Sequence, residues 1–385
     1  MRKLRSQRGF SLLELLVASS IGVAVVLVMT SLFKTGMDAT TRVSQRAETQ
    51  QNMRAAVELI TKDISLAGAG LPAGGLQLTT AGLSKFGCNQ TGTCYITNGN
   101  YPNSGATPNY MYAIEPGFGT GVQNGLAIAA APGLINSSLT AVYCDYNFPL
   151  TNFNFTITST TTTAVAVING AVQPNNILAP GGLQVGDLLL FTVNIAGDGK
   201  TVNGNSSIQT AAVVAEVTGI PNNTSVQFNT TDALNFNHTT GSNNLAAVSA
   251  AIAAAPANSN PQTSVCRLQV VSYFLQIPPA GGTVQTPRLM RQVNGLDAVP
   301  VADNIINLQF TYDVISVAGG ALVANQQDPI AAGQSPNLIK KVNVWIMGAS
   351  PITGGNKSQS MYLATSVATR DMSFCNSYSA TASCQ

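Results

Sequence analysis

Near its amino terminus the chain carries one feature that restricts everything after it. From Phe10 to Phe33 it runs for 24 residues with a single charge, Glu14, and the residues before it hold Arg2, Lys3, Arg5 and Arg8. As an α-helix that run is about 36 Å long, enough for a hydrocarbon core of roughly 30 Å. The basic cluster predicts an amino terminus held in the cytoplasm and a remainder facing outward. The run is too long for the apolar region of a secretory signal, a carboxylate interrupts it, and no small-x-small site closes it. A plain membrane anchor leaves Glu14 unexplained. A charge costs about 2.5–3.5 kcal/mol near the centre of a spanning helix and less toward its end. The sequence supplies no cation nearby on the same helix face.

The residues around Glu14 carry a resemblance. Arg8-Gly9-Phe10-Ser11-Leu12-Leu13-Glu14-Leu15 resembles the class III leader of type IV pilins and type II secretion pseudopilins. The resemblance implies that a prepilin peptidase cuts between Gly9 and Phe10 and methylates the new amino-terminal Phe10. It also gives Glu14 a partner, the Phe10 amine of a neighbouring subunit as helices stack in a filament. An unpaired carboxylate in low dielectric is costly, and a paired one is tolerable.

Beyond Phe33 the pattern stays helical and turns amphipathic. Met53, Val57, Ile60 and Ile64 fall on one face, Glu58 and Lys62 stand four apart in the favourable order, and Gly68, Gly70 and Pro72 stop the helix. A helix over Phe10–Ala67 spans about 87 Å, and its second half needs a sheet to cover the Met53–Ile64 face. The remainder alternates as strands separated by Gly, Pro, Asn and Ser. Expected strands are Leu126–Ala130, Thr140–Tyr146, Phe153–Thr158, Ala164–Ile168, Asp187–Asn194, Ala211–Thr218, Ser225–Asn229, Cys266–Ile277, Arg288–Val293, Ile305–Ile315, Ile339–Met347 and Met361–Thr369. Leu245–Ala257 reads as a short helix, and the tracts 89–109 and 222–244 as long surface loops.

Several spaced fragments resemble PilW-type minor pilins and, more loosely, the J-type pseudopilin. They are Asp63-Ile64-Ser65-Leu66-Ala67-Gly68, Val185-Gly186-Asp187-Leu188-Leu189, Val271-Ser272-Tyr273-Phe274-Leu275, Arg288-Leu289-Met290-Arg291 and Ile305–Tyr312. The chain departs from that pattern at Leu71-Pro72 and at Ala368-Thr369-Arg370-Asp371. The implied fold is α+β, a long amino-terminal pilin helix, half transmembrane or protruding, packed on an enlarged antiparallel β-sheet domain. Its parts are a leader over 1–9, a membrane or filament-core helix over 10–33, an amphipathic second half over 34–68, and a β-rich globular part with long loops over 69–385. The implied role is a minor pilin that helps initiate pilus assembly at or near the tip. The implied partners are other minor pilins, the major pilin, the prepilin peptidase, the inner-membrane assembly platform and, before assembly, membrane lipid. Such a precursor sits in the bacterial inner membrane with its globular part in the periplasm, and the mature protein in the extracellular pilus. The alternatives are a J-type pseudopilin of type II secretion and a surface adhesin or DNA-binding tip subunit.

Composition bears on what else the chain does. Only 9% of residues are charged. Removing the four basic residues before residue 9 from the 18 Lys and Arg leaves 14 against 16 Asp and Glu, a net charge of −2. Bulk electrostatics therefore argue against nucleic acid as a partner. A single histidine, His238, reads as an exposed loop residue and excludes a His-rich metal site or a Ser-His-Asp triad. Gly199-Lys200-Thr201 imitates the end of a P-loop, but position 194 is Asn where the motif needs Gly. Asp198-Gly199 reads as a hairpin turn, and EF-hand spacing is missing around Asp198. No catalytic group, cofactor or metal is expected. Trp345, the only tryptophan, reads as core or filament-contact packing. The cysteines are Cys88, Cys94, Cys144, Cys266, Cys375 and Cys384, with no CxxC pair. In an exported chain an even count suggests disulfides. Fifteen pairings are possible; short separations favour Cys88–Cys94 and Cys375–Cys384, leaving Cys144–Cys266, with free buried thiols the alternative.

Overall fold

A computed structural model of the chain describes residues 10–72, 75–78, 110–123, 135–145, 154–159, 163–169, 182–195, 201–202, 205–206, 209–222, 225–238, 244–253, 262–276, 287–316, 321–328, 336–350 and 359–369. The α+β architecture expected from the sequence is what it shows. A long apolar helix leads into a globular domain of antiparallel sheets.

The helix runs unbroken over Leu12–Leu66. It contains no proline, and its only glycines are Gly22 and Gly36, so nothing removes a link from the backbone ladder. It stops where the sequence predicts, because Gly68 and Gly70 take φ of 89° and 75°, which side chains disfavour. Its buried stripe is Thr49, Met53, Ala56, Ile60, Asp63 and Ile64. Ala56 replaces the expected Val57 on that stripe; Val57 packs at its margin. Glu58 and Lys62 form no ion pair among those of the described residues.

The stripe lies on a four-stranded antiparallel sheet ordered Leu322–Gln326, Ile305–Ile315, Ile339–Ala349, Ser360–Ala368. Gly348 is where helix and sheet come closest. A Cβ built there would stand 2.7 Å from Met53 Sδ and 2.9 Å from Thr49 Cγ2. A larger sheet follows the order Gln209–Glu216, Leu188–Ile195, Gln262–Gln276, Arg288–Val293, Val299–Asp303. Its central strand pairs over Gln262–Leu268 with Leu188–Asn194 and over Leu268–Tyr273 with Leu139–Cys144, and Leu268 faces a partner on either edge. A third sheet joins Gly219–Asn222, Ser225–Asn229, Thr163–Asn169 and Asn154–Ser159.

The predicted strands Ser225–Asn229, Arg288–Val293 and Ile305–Ile315 keep their bounds, and most others shift by one to four residues. Leu126–Ala130 lies outside the described residues, as does the tract 89–109. Strands absent from the sequence reading include Ile114–Gly117, Gly219–Asn222 and Val299–Asp303. Each contains a proline (Pro116, Pro221, Pro300), and each pairs with a single neighbour at a sheet edge, where a missing N–H is tolerated. The 222–244 tract is not simply a surface loop. Residues 225–229 form a strand, and Leu234, Phe236 and Asn237 are buried behind it. The short helix is Leu245–Ala253, inside the predicted range.

Among the described residues two apolar clusters bear on the helix and on the cysteine pair. One holds the helix stripe, the inner faces of Ile305–Ile315 and Ile339–Ala349, and the Leu139, Val271 and Leu289 positions of the larger sheet. The second gathers Leu76, Met111, Leu188, Leu190, Leu234, Phe236 and Leu268 around Cys144 and Cys266.

Candidate functional site

The first half of the helix is built to meet something other than its own chain. Large apolar side chains from Leu12 to Val43 are exposed, and Phe10 at the start is 87% exposed. The most apolar window of the helix has a mean hydropathy of 2.5 with none of it buried, long and apolar enough to cross a membrane. Six of its hydroxyl side chains bond to the helix itself. Ser19, Ser20, Thr30, Thr35, Thr40 and Thr41 each donate a hydroxyl to a carbonyl three or four residues back. That is how hydroxyl residues sit in a helix without water.

Glu14 also has a partner that the sequence reading missed. Ser11 caps the helix: its Oγ accepts from the Glu14 N–H at 3.2 Å, and the Glu14 carboxylate accepts from the Ser11 N–H at 3.1 Å. This reciprocal pair is a capping box, readable as Ser-x-x-Glu ahead of an apolar run. It meets a hydrogen-bonding need of Glu14 and supplies no cation. The cap also fixes the carboxylate within one turn of Phe10, at the end of the helix where any amine on Phe10 would lie.

At the other end, Asp63 ties the helix to the larger sheet. It stands on the buried stripe, 3% exposed, and three groups from distant strands converge on it. Tyr143 donates its hydroxyl at 2.8 Å, Tyr273 at 2.5 Å, and Arg291 its Nε–H at 2.9 Å. Burial pushes both tyrosine hydroxyls well above their ordinary value, and the Asp63 charge pushes the same way, so both remain donors. Burial alone would lower Arg291; the Asp63 carboxylate more than reverses that. The sequence fragments around Asp63, Tyr273 and Arg291 are thus three sides of one cluster.

The remaining predicted residues divide as follows. Gly9, Cys88, Cys94, Cys375, Cys384, Asp198, Gly199, Lys200 and Thr201 lie outside the described residues, apart from the backbone of Thr201 in a short strand. Cys144 and Cys266 are joined, with Cα atoms 5.7 Å apart, closing a sequence separation of 122. Beside them Arg267 pairs with Asp145 at 2.5 Å. His238 is half-buried rather than exposed, its Nε2 3.1 Å from the Asn235 carbonyl. It closes a turn that Glu216 organises by accepting from the Leu234 N–H at 2.8 Å. Burial, helped by the Asp232 charge, pushes the Glu216 carboxyl up to about 7. Trp345 is not core: it is 45% exposed and stacks on Tyr362. Strand parity explains this, since Val342, Val344 and Ile346 face inward and Trp345 shares the outward side with Asn343. Among the described residues no group of three His, Cys, Asp or Glu side chains could hold a metal ion.

Residues 4–30 match a family described as the prokaryotic N-terminal methylation motif. No curated protein and no solved structure matches the chain. The motif supports a type IV pilin-like or pseudopilin protein, processed by a prepilin peptidase and anchored through its apolar helix. It points to a structural rather than a catalytic role.

Proposed function

We propose that this chain is a minor pilin, most like the PilW type, that helps initiate pilus assembly at or near the filament tip. The observation that carries the reading is the junction at Gly9-Phe10. It lies within the matched motif, one residue ahead of a capped helix whose first half is wholly exposed. Cleavage there frees an amine on Phe10, which is then methylated. Glu14 of one subunit meets that amine in another as the helices pack. The leader is 1–9, the filament or membrane helix 10–33, its amphipathic continuation 34–68, and the exported domain 69–385.

Size supports scarcity in the filament. A globular part of about 300 residues is bulky beside a core of closely packed helices 8–10 Å apart. It fits best where neighbours are missing on one side. Glu14 implies a neighbour above whose amine it meets, so the position is just beneath a capping subunit. Partners are then other minor pilins, the major pilin and the inner-membrane assembly platform. The J-type pseudopilin of a secretion system shares the same junction and helix and is the second reading.

The test is mass spectrometry of the chain recovered from sheared filaments. The expected product begins at methylated Phe10 and is present at a small fraction of the major subunit. Gly9→Leu should leave the longer precursor in the inner membrane. Filaments carrying this chain with Arg2 or Lys3 attached would overturn the reading.

A further inference from the structure

We infer that the outward face of the four-stranded sheet binds an uncharged polysaccharide strand, with Trp345 and Tyr362 as its stacking platform. The inference rests on the filament reading for one step, the direction in which that face points.

The two rings come from adjacent strands. In the register Trp345 lies opposite Ala364 and Met347 opposite Tyr362, so Trp345 and Tyr362 are diagonal neighbours on one face. Their planes are within 9° of parallel and their centroids 5.8 Å apart. Tyr362 is 71% exposed. Aromatic surface of this kind on a strand exterior is apolar area left in water, here with Met347 and Ala364 beside it and polar Gln309, Asn343 and Ser366 around it. Ala364 beside the indole keeps the platform low. Gln309 stands opposite Trp345 on the other side, and the next row brings Asn343 opposite Ser366.

The chemistry of this face selects among ligands. Among its described residues the charges are Lys341 and Asp313, and they pair with each other at 2.9 Å. A polyanion would need unpaired cations, and a cation seated on the rings would need carboxylates around them. A small apolar ligand would need a concave pocket, and this is the face of an open sheet. A sugar ring matches what is left. Its C–H face lies on an aromatic ring, and its hydroxyls reach the Gln309 amide, the Ser366 hydroxyl and the Asn343 carbonyl oxygen, the Asn343 NH2 being held by Asp313 and Asn325.

A protein neighbour in the filament is the competing occupant, and the fold argues against it. The opposite side of the same strands, Val342, Val344 and Ile346, packs in the core that holds the helix stripe, and Gly348 touches it. The Trp345 face therefore points away from the helix. In an assembly built on packed helices, that direction is outward.

Trp345 is the only tryptophan in the chain, so its emission reads this face directly. The full chain in detergent micelles is titrated with chitohexaose, cellohexaose and mannohexaose at millimolar concentrations. At least one should shift the emission saturably. Tyr362→Ala should weaken that response about tenfold, the loss of one aromatic stacking contact, while Ser360→Ala leaves it unchanged. No response to any of the three, or an equal response in Tyr362→Ala, overturns the inference. So does an emission change produced by purified filaments and by none of the sugars, which would make the face a subunit contact. A chain correctly cut at Phe10 and incorporated into filaments, yet silent to sugars, sinks this inference alone. A chain that binds sugar but keeps its leader sinks the filament reading and leaves the platform.

Discussion

Between Leu12 and Val43 the helix leaves its large apolar side chains exposed, while between Thr49 and Ile64 it buries a stripe against a sheet and fastens it with Asp63. The two halves belong to one unbroken ladder of hydrogen bonds, so backbone propensity does not separate them. What separates them is the surface each was given. Up to Phe33 the first half is apolar on all sides apart from Glu14, and its hydroxyls bond to the helix's own carbonyls, so lipid or other helices serve it equally well. The second is apolar on one face only and fits the core that two sheets share. A helix anchored at one end this way transmits position. Whatever holds the first half also fixes where the globular domain stands.

The largest effect should come from Asp63→Ala. It removes the acceptor shared by Tyr143, Tyr273 and Arg291 and leaves a guanidinium without its anion. Breaking a buried pair from one side costs about 3–5 kcal/mol. Urea denaturation of the full chain in detergent, followed by Trp345 emission, reads it. A loss under about 1 kcal/mol would show that apolar packing alone seats the helix.

A second pair of substitutions sets the halves directly against each other. Ile60→Ala empties a fully buried site and should cost about 2–5 kcal/mol. Leu27→Ala removes more exposed surface than packing, and should leave globular stability within about 0.5 kcal/mol. Its effect should appear only in membrane retention or filament incorporation. Equal losses of unfolding free energy would mean that the first half packs on the domain.

Much of this division is legible in the sequence. The Gly and Pro stop at Gly68–Pro72, the stripe through Met53, Ile60 and Ile64, and the strong alternation in Leu308–Tyr312 all lead to the elements observed. The Asp63 cluster is not legible, because its members are brought together across 228 residues by the pairing of strands. One signal was available: Asp63 follows Ile60 by three, on the apolar stripe, where a charge needs a partner. Trp345 was legible too, by parity with Asn343, had parity been weighed above the tryptophan's apolar bulk. The proline-bearing edge strands were hidden because local chemistry argues against them and only the neighbouring strand holds them.

Two carboxylates sharpen the comparison at its smallest scale, because each accepts a backbone N–H and neither has a cation among the described residues. Glu14 takes the Ser11 N–H on the exposed half. Glu115, fully buried on the edge strand Ile114–Gly117, takes the Tyr112 N–H at 2.7 Å on one oxygen, and its other oxygen has no partner among the described residues. Burial raises the Glu115 carboxyl well above 4.5, and the Tyr112 hydrogen bond opposes this without cancelling it. The folded chain therefore keeps a proton that the unfolded chain releases above pH 4.5. Stability is undiminished by this group below that pH and falls as pH rises toward the folded-state value. Glu115→Gln removes the ionisation and should raise stability by about 1 kcal/mol one unit above pH 4.5, with no difference well below it. Glu14→Gln should leave the stability of the globular domain unmoved and reduce incorporation into filaments instead. A pH-independent gap for Glu115→Gln would mean that the buried carboxyl has found a counter-ion. A stability change for Glu14→Gln would mean that the exposed end of the helix is not exposed.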